Sequence, residues 1–172
     1  MALRYIEGNL LAGEDRLILH GCNARGAFGS GFAGVLKKRH PAAHDAYMDA
    51  HRQGRLILGS VIWAESEGMA IGNCITQPTY GRDGKRHVSY EALRSCMRQV
   101  RVAADLGVPG TDFEEGFSRV AMPLIGADLG GGDWNVISRI VEEELSGLEA
   151  VVYVLPGRRP SAAELESSSP RR

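Results

Sequence analysis

The run Leu17-Ile18-Leu19-His20-Gly21-Cys22-Asn23-Ala24-Arg25-Gly26-Ala27-Phe28-Gly29-Ser30-Gly31-Phe32-Ala33 constrains this chain more than any other stretch, because an apolar segment of strand length passes through glycines into a helical pattern. That order restricts the fold to those in which strands and helices alternate. Glycine lets the backbone turn sharply and leaves N–H groups bare, and the helix that follows adds its positive N-terminal end, so an anion such as a phosphate is favoured there. The segment Ile125-Gly126-Ala127-Asp128-Leu129-Gly130-Gly131-Gly132-Asp133-Trp134 repeats the order late in the chain. Two such turns can grip one diphosphate from both sides.

The remaining pattern fits the same architecture. Apolar, β-branched runs at 3–6, 17–22, 56–64, 69–76, 117–122 and 150–155 read as buried strands. Helices are expected at 31–39 and 41–52, split by Pro41, and at 89–106 and 133–145. The third carries Leu93, Met97, Val100, Ala103 and Ala104 on one face, and the fourth carries Trp134, Ile137, Ile140 and Val141. Glu142, Glu143 and Glu144 oppose the dipole at the end of that fourth helix, a small cost for which the sequence shows no purpose. The implied fold class is α/β, with helices on both faces of a central mixed, largely parallel sheet and a ligand beyond the carboxyl ends of its strands. One domain over 1–157 is expected, with a surface loop at 108–116 and a disordered, Ser-, Glu-, Pro- and Arg-rich tail at 158–172.

Composition narrows the chemistry. At 172 residues the chain buries roughly 70% of its unfolded surface, enough for a core without staples. A net charge of -1 and a pI near 6.5 exclude a broad electropositive surface for nucleic acid, so phosphate binding must be local. Cys22, Cys74 and Cys96 have neither the spacing of a zinc site nor the even number of a disulfide framework, which fits a reducing cytoplasm. No apolar run approaches the ~20 residues of a membrane helix, and no signal-peptide pattern opens the chain, so no membrane partner is expected. His40, His44 and His51 approach one helical face, but Pro41 separates the first from the others and the nearby carboxylates point elsewhere, so no metal and no cofactor is expected.

The combination of Gly8-Asn9-Leu10, His20-Gly21-Cys22-Asn23, Gly29-Ser30-Gly31-Phe32-Ala33 and Met122-Pro123-Leu124-Ile125-Gly126 resembles a macrodomain. The likeness spans about residues 3 to 155 and is closest to the branch of ADP-ribose-1''-phosphate phosphatases, Appr-1-p processing proteins and the terminal ADP-ribose protein glycohydrolase. It implies a three-layer α/β/α fold with ADP-ribose in a cleft over the sheet. By this resemblance the ligand is bound by Asn9, Leu10, Gly21, Cys22, Gly29, Ser30, Gly31, Phe32, Thr76, Gln77, Ile125, Gly126, Ala127, Leu129 and Gly130, and the candidates for chemistry are His20, Asn23 and Asp128.

Asn9 stands where most relatives have an Asp that accepts from the adenine amino group; its amide accepts without charge assistance, or simply caps the next turn. Asn23 suits a distal-ribose hydroxyl, since an amide both donates and accepts. The glycines from Gly29 to Gly31 would hold the diphosphate through backbone N–H groups. His20, with an imidazole near pKa 6.5, suits protonation of a departing anomeric oxygen or support of a phosphate monoester, or packs at a strand end. Two departures matter. The glycohydrolase branch has a catalytic Asp where this chain has Gly130, while Asp128 lies two residues earlier; its lysine is replaced by Gln77, which cannot form a Schiff base.

The expected function is ADP-ribose binding with hydrolysis of ADP-ribose-1''-phosphate to ADP-ribose and phosphate. The alternatives are a non-catalytic reader of ADP-ribose, and an ADP-ribosyl hydrolase acting on protein or nucleic-acid adducts. A nicotinamide oxidoreductase is disfavoured, because Gly29-Ser30-Gly31-Phe32-Ala33-Gly34 begins well past the strand end and no acidic residue closes a strand about 20 residues later. The basic, glycine-bearing loop from Gln77 to His87 offers Arg82, Lys85 or Arg86 to a terminal phosphate, or is a solvated hairpin.

Overall fold

The structure is a computed structural model and describes residues 3–157, so the tail at 158–172 lies outside the described residues. The elements run β1 (Arg4–Glu7), a short 3-10 turn (Leu10–Ala12), β2 (Leu17–Asn23), α1 (Gly31–Arg39), α2 (Pro41–Arg52), β3 (Val61–Ser66), β4 (Met69–Gln77), α3 (Tyr90–Leu106), β5 (Arg119–Met122), α4 (Trp134–Glu144) and β6 (Glu149–Val154). The strands form one sheet in the order β1-β6-β5-β2-β4-β3. Neighbours from β1 to β4 in that order pair in parallel, and β3 lies antiparallel along β4.

The pleat sorts the strand side chains into two cores. Ile18, Cys22, Ile71 and Ile75 pack with Leu36, Ala43 and Tyr47 of α1 and α2. Leu17, Leu19, Ala70 and Cys74 point the other way and pack with Leu93, Met97, Val100, Ile137 and Val141 of α3 and α4. This is the expected α/β/α sandwich. The strand order reverses at β2 and β5, whose ladder is registered at Ile18↔Ala121, and the turns after both strands rise beside this switch point.

Two local expectations change. The third strand begins at Val61, because the apolar residues before it enter a turn: Gly59 has φ +89 and donates its N–H to Ile75. The acidic end of α4 has a partner that periodicity alone does not reveal. Arg94 of α3 donates to Glu143 and Glu144 at 2.7 Å each, Arg98 reaches Glu144 at 3.2 Å, and Glu142 accepts from the Leu3 amide at 3.4 Å. These interhelical pairs offset the unfavourable dipole.

A polar cluster ties the long crossing between β1 and β2 to the sheet. Asp15 is buried, accepting from Arg119 Nε at 2.6 Å and from the Tyr153 hydroxyl at 2.7 Å. Gly13 fits against this cluster, since a Cβ there would come within 2.8 Å of the Tyr153 hydroxyl oxygen. The anchored segment carries Asn9 and Leu10 at its upper end.

Candidate functional site

The turn after β2 is built from beneath. Asn23 Oδ1 accepts from the amides of Arg25 (2.9 Å) and Ala27 (3.3 Å), while its Nδ2 donates to the Ala27 carbonyl at 2.7 Å, so the side chain folds the loop around itself. Gly31 then starts α1 with φ +58. Ser30 occupies the cap position without a side-chain cap bond, and the first turn of α1 holds no acidic residue, whereas its last turn carries Lys37, Lys38 and Arg39. The first amides of a helix have no partner within it, so this end presents bare N–H groups and a positive dipole end.

The second glycine turn is a different object. Four of its amides, at Ile125, Ala127, Gly131 and Gly132, bond within the turn to the Pro123, Leu124, Asp128 and Gly126 carbonyls respectively. Asp133 caps α4 with its own carboxylate, accepting from the Asn135 amide at 2.8 Å, so the dipole of this helix is already answered. The tight fold-back requires glycine at Gly130, where a Cβ would meet the Gly126 carbonyl at 2.6 Å. The helix after the late turn is capped by its own acid, and the helix after the early turn is not.

Several expected ligand residues do come together. A Cβ at Gly21 would lie 3.0 Å from Thr76 Oγ1 and 3.4 Å from Ile125; a Cβ at Gly130 would lie 3.1 Å from the Gln77 side-chain oxygen; and one at Gly31 would lie 3.5 Å from Leu129, which bridges the two turns. Thr76 Oγ1 is buried and finds no hydrogen-bond partner among the described residues. An unanswered buried hydroxyl is costly, and it stands beside Gly21, whose missing side chain leaves room toward Ile125 and Gly126. Asp128 lies on the exposed crest of the late turn, with Leu129 beside it and Gly126 and Ala127 at its foot.

Other expected residues sit apart from that group. Asn9 is exposed and its Oδ1 caps the 3-10 turn by accepting from the Leu11 amide at 3.0 Å. Leu10 and Cys22 are core side chains on the α1/α2 face, and burial pushes the Cys22 thiol well up. His20 lies in the same layer, 1% exposed, edge-on to Phe28 at 5.4 Å and tilted against Phe32 at 5.7 Å. Its Nε2 lies 2.5 Å from Asn73 Oδ1, and Asn73 Nδ2 donates to the Ala43 carbonyl at 3.1 Å. The Asn73 oxygen is thus the acceptor, the His20 proton resides on Nε2, and Nδ1 holds a lone pair. Burial lowers the His20 pKa to about 4 against the smaller opposing effect of the Asn73 bond. The expected value near 6.5 is corrected: the ring is neutral at pH 7.

The basic segment after β4 is tied to the late turn, a link sequence spacing could not show. The amides of His87 and Val88 both donate to the Gly130 carbonyl, at 2.8 and 3.0 Å. His87 Nε2 donates to Asp83 at 2.9 Å and its Nδ1 accepts from Thr79 Oγ1 at 2.9 Å, so the loop is braced across its base. The His87 bond, followed by the Lys85 amide, holds the Asp83 carboxyl below its ordinary value. Arg86 lies 4.5 Å over the Tyr90 ring, and Tyr80, Arg82 and Lys85 are exposed at the crest.

The Macro domain family model matches residues 19–141. The ADP-ribose 1''-phosphate phosphatase of Candida glabrata is 38% identical over 84 residues, covering 46% of this chain and 47% of that protein. The DNA ADP-ribosyl glycohydrolase of Thermus aquaticus is 25% identical over 166 residues, covering 93% of this chain and 43% of that protein. These two alignments span less than half of each relative's length, whereas the ADP-ribose 1''-phosphate phosphatase of Candida albicans, 24% identical over 164 residues, is matched over 89% of this chain and 99% of that protein. The solved macrodomain of Thermus aquaticus DarG shares the fold, with a TM-score of 0.70 at 24% identity, covering 88% of this chain and 97% of that one.

Proposed function

The chain belongs to the Macro domain family, and from that premise we propose that it binds ADP-ribose between the two glycine turns and hydrolyses ADP-ribose-1''-phosphate to ADP-ribose and inorganic phosphate. The observation that carries this reading is the asymmetry of the two turns. A diphosphate is held by the bare first turn of α1, from Gly29 to Phe32, and closed in by Leu129 of the other turn at Gly31. Asn23 and the unpartnered Thr76 hydroxyl serve the distal ribose, and the adenine is assigned to Asn9 by the family resemblance alone.

In the proposed reaction water supplies the hydroxyl that phosphate retains, and the proton it gives up ends on the departing anomeric oxygen. Asp128 takes the proton from that water as general base. His20 supplies none, because its ring is neutral at pH 7 and its N–H is committed to Asn73; it sets the floor under Phe28 and Phe32. Catalysis therefore rests on positioning and on amide stabilisation of charge. A phosphorus NMR time course of ADP-ribose-1''-phosphate with the protein is expected to show inorganic phosphate growing above the buffer control. A monoester that stays intact while the diphosphate signals shift would replace this function by binding without turnover.

A second reading, removal of ADP-ribose from nucleic acid, is favoured by the loop joined to Gly130. Exposed Arg82 and Lys85, with Tyr80 between solvent and the turn, offer phosphate contacts and a stacking face in a chain of net charge -1. The double variant Arg82→Ala/Lys85→Ala is expected to slow release of ADP-ribose from an ADP-ribosylated single-stranded oligonucleotide by about tenfold at low salt while leaving free ADP-ribose binding unchanged. Equal rates for variant and parent would remove this second reading.

A further inference from the structure

We infer that Tyr47 of α2 is a positioning residue of the site, holding the Asn23 carbonyl and the Gly26 amide and with them the loop in which the Asn23 side chain is left with a donor, and no acceptor, for a ligand; the inference rests on the ADP-ribose reading above. Tyr47 is fully buried, and a phenol at that helical position reads in sequence as core. Its hydroxyl does something more specific. It lies 2.7 Å from the Asn23 carbonyl oxygen and 3.0 Å from Asn23 Oδ1, and it accepts from the Gly26 amide at 3.1 Å.

The consequence is a count of lone pairs and hydrogens. Asn23 Oδ1 already receives the Arg25 and Ala27 amides and lies within reach of the Tyr47 hydroxyl, so it has no capacity left for a ligand. One Nδ2 hydrogen goes to the Ala27 carbonyl, which leaves the second as the polar group this side chain can offer. Such a group binds an oxygen lone pair of the distal ribose or of a phosphate on it. The two backbone amides converging on Oδ1 fix the amide flip, and the single phenol hydrogen goes to its shorter partner, the Asn23 carbonyl at 2.7 Å, so Tyr47 holds the backbone on which that side chain is mounted.

Tyr47 is itself held. Its ring lies 5.1 Å from Phe28, and the His51 ring occupies the space where a Cβ at Gly26 would fall, 2.5 Å from Nε2. With φ +83, this position favours glycine, and the Gly26 N–H donates to the phenol. Burial, more than neighbouring charge, pushes the Tyr47 pKa far up, so the hydroxyl keeps its proton through the physiological range.

Tyr47→Phe keeps the ring and removes the hydroxyl. Calorimetric titration with ADP-ribose is expected to show Kd raised about five- to tenfold, the scale of one lost ordering hydrogen bond. In an Asn23→Ala background the same change is expected to have no further effect, because Tyr47 acts through Asn23. Amide hydrogen exchange of the unaltered protein supplies a readout independent of any variant's folding: the Gly26 N–H should be protected. An affinity of Tyr47→Phe equal to the parent, additive losses in the double variant, or a freely exchanging Gly26 amide would each overturn the role of Tyr47. Failure of the parent itself to bind ADP-ribose would instead overturn the functional reading on which it rests.

Discussion

Asp128→Asn is expected to lower the turnover of ADP-ribose-1''-phosphate by about 100-fold or more, while ADP-ribose binds at least as tightly as before. The carboxylate occupies the crest of a turn whose neighbours Leu129 and Gly130 face the α1 cradle and the Gln77 side chain. A negative charge there works against a bound diphosphate, so a residue kept for binding alone would have little reason to be acidic. Loss of the general base removes the acceptor for the water proton in the transition state, and the amide keeps the size and the turn. Single-turnover rates and calorimetric Kd values separate the two effects. Unchanged turnover, or a Kd that rises in step with the loss of rate, would remove Asp128 from the chemistry.

Acidification is expected to destabilise the native state through His20. The unfolded ring titrates near 6.5 and the native ring at about 4, chiefly because burial disfavours its charged form. Above pH 6.5 the ring is neutral in both states and contributes no difference. Between 6.5 and about 4 the unfolded chain takes up a proton that the native chain refuses, so stability falls as pH falls; below about 4 both states bind it and the loss is complete. The gap corresponds to about 3 kcal/mol as an order of magnitude. Urea unfolding of the parent and of His20→Gln at pH 7 and again near pH 4 measures it, because the glutamine variant lacks this component. Parallel losses in the two proteins would place the acid sensitivity elsewhere. The same pKa has a kinetic corollary: phosphate release should show no inflection near pH 6.5 arising from His20.

The parts of the fold that the sequence disclosed were those written in local periodicity. The strands at β2 and β4, the split of α1 from α2 at Pro41 and the apolar faces of α3 and α4 follow from spacing alone. The third strand was displaced because Leu56, Ile57 and Leu58 are as apolar as a strand requires, and only the positive φ of Gly59 reveals the turn. At the site, glycine placement disclosed both turns but not their difference, since the uncapped start of α1 and the Asp133 cap of α4 depend on side-chain rotamers. The environment of His20 was hidden because its partner, Asn73, is on another strand with no motif of its own. Tyr47 was hidden for the opposite reason, being ordinary core by every local measure. The glutamates of α4 found their purpose in arginines of a different helix, which is tertiary information.

One feature of the sheet bears on how this crevice behaves as a material. The β2–β5 ladder, registered at Ile18↔Ala121, is shorter than any of its neighbours, and the two halves of the sheet it joins are backed on each face by a core that runs across the seam. A molecule bonded to the turn after β2 on one side and to the turn after β5 on the other spans that seam like a suture, and its grip becomes part of the tensile continuity of the sheet. Occupancy and cohesion are then two descriptions of one mechanical joint.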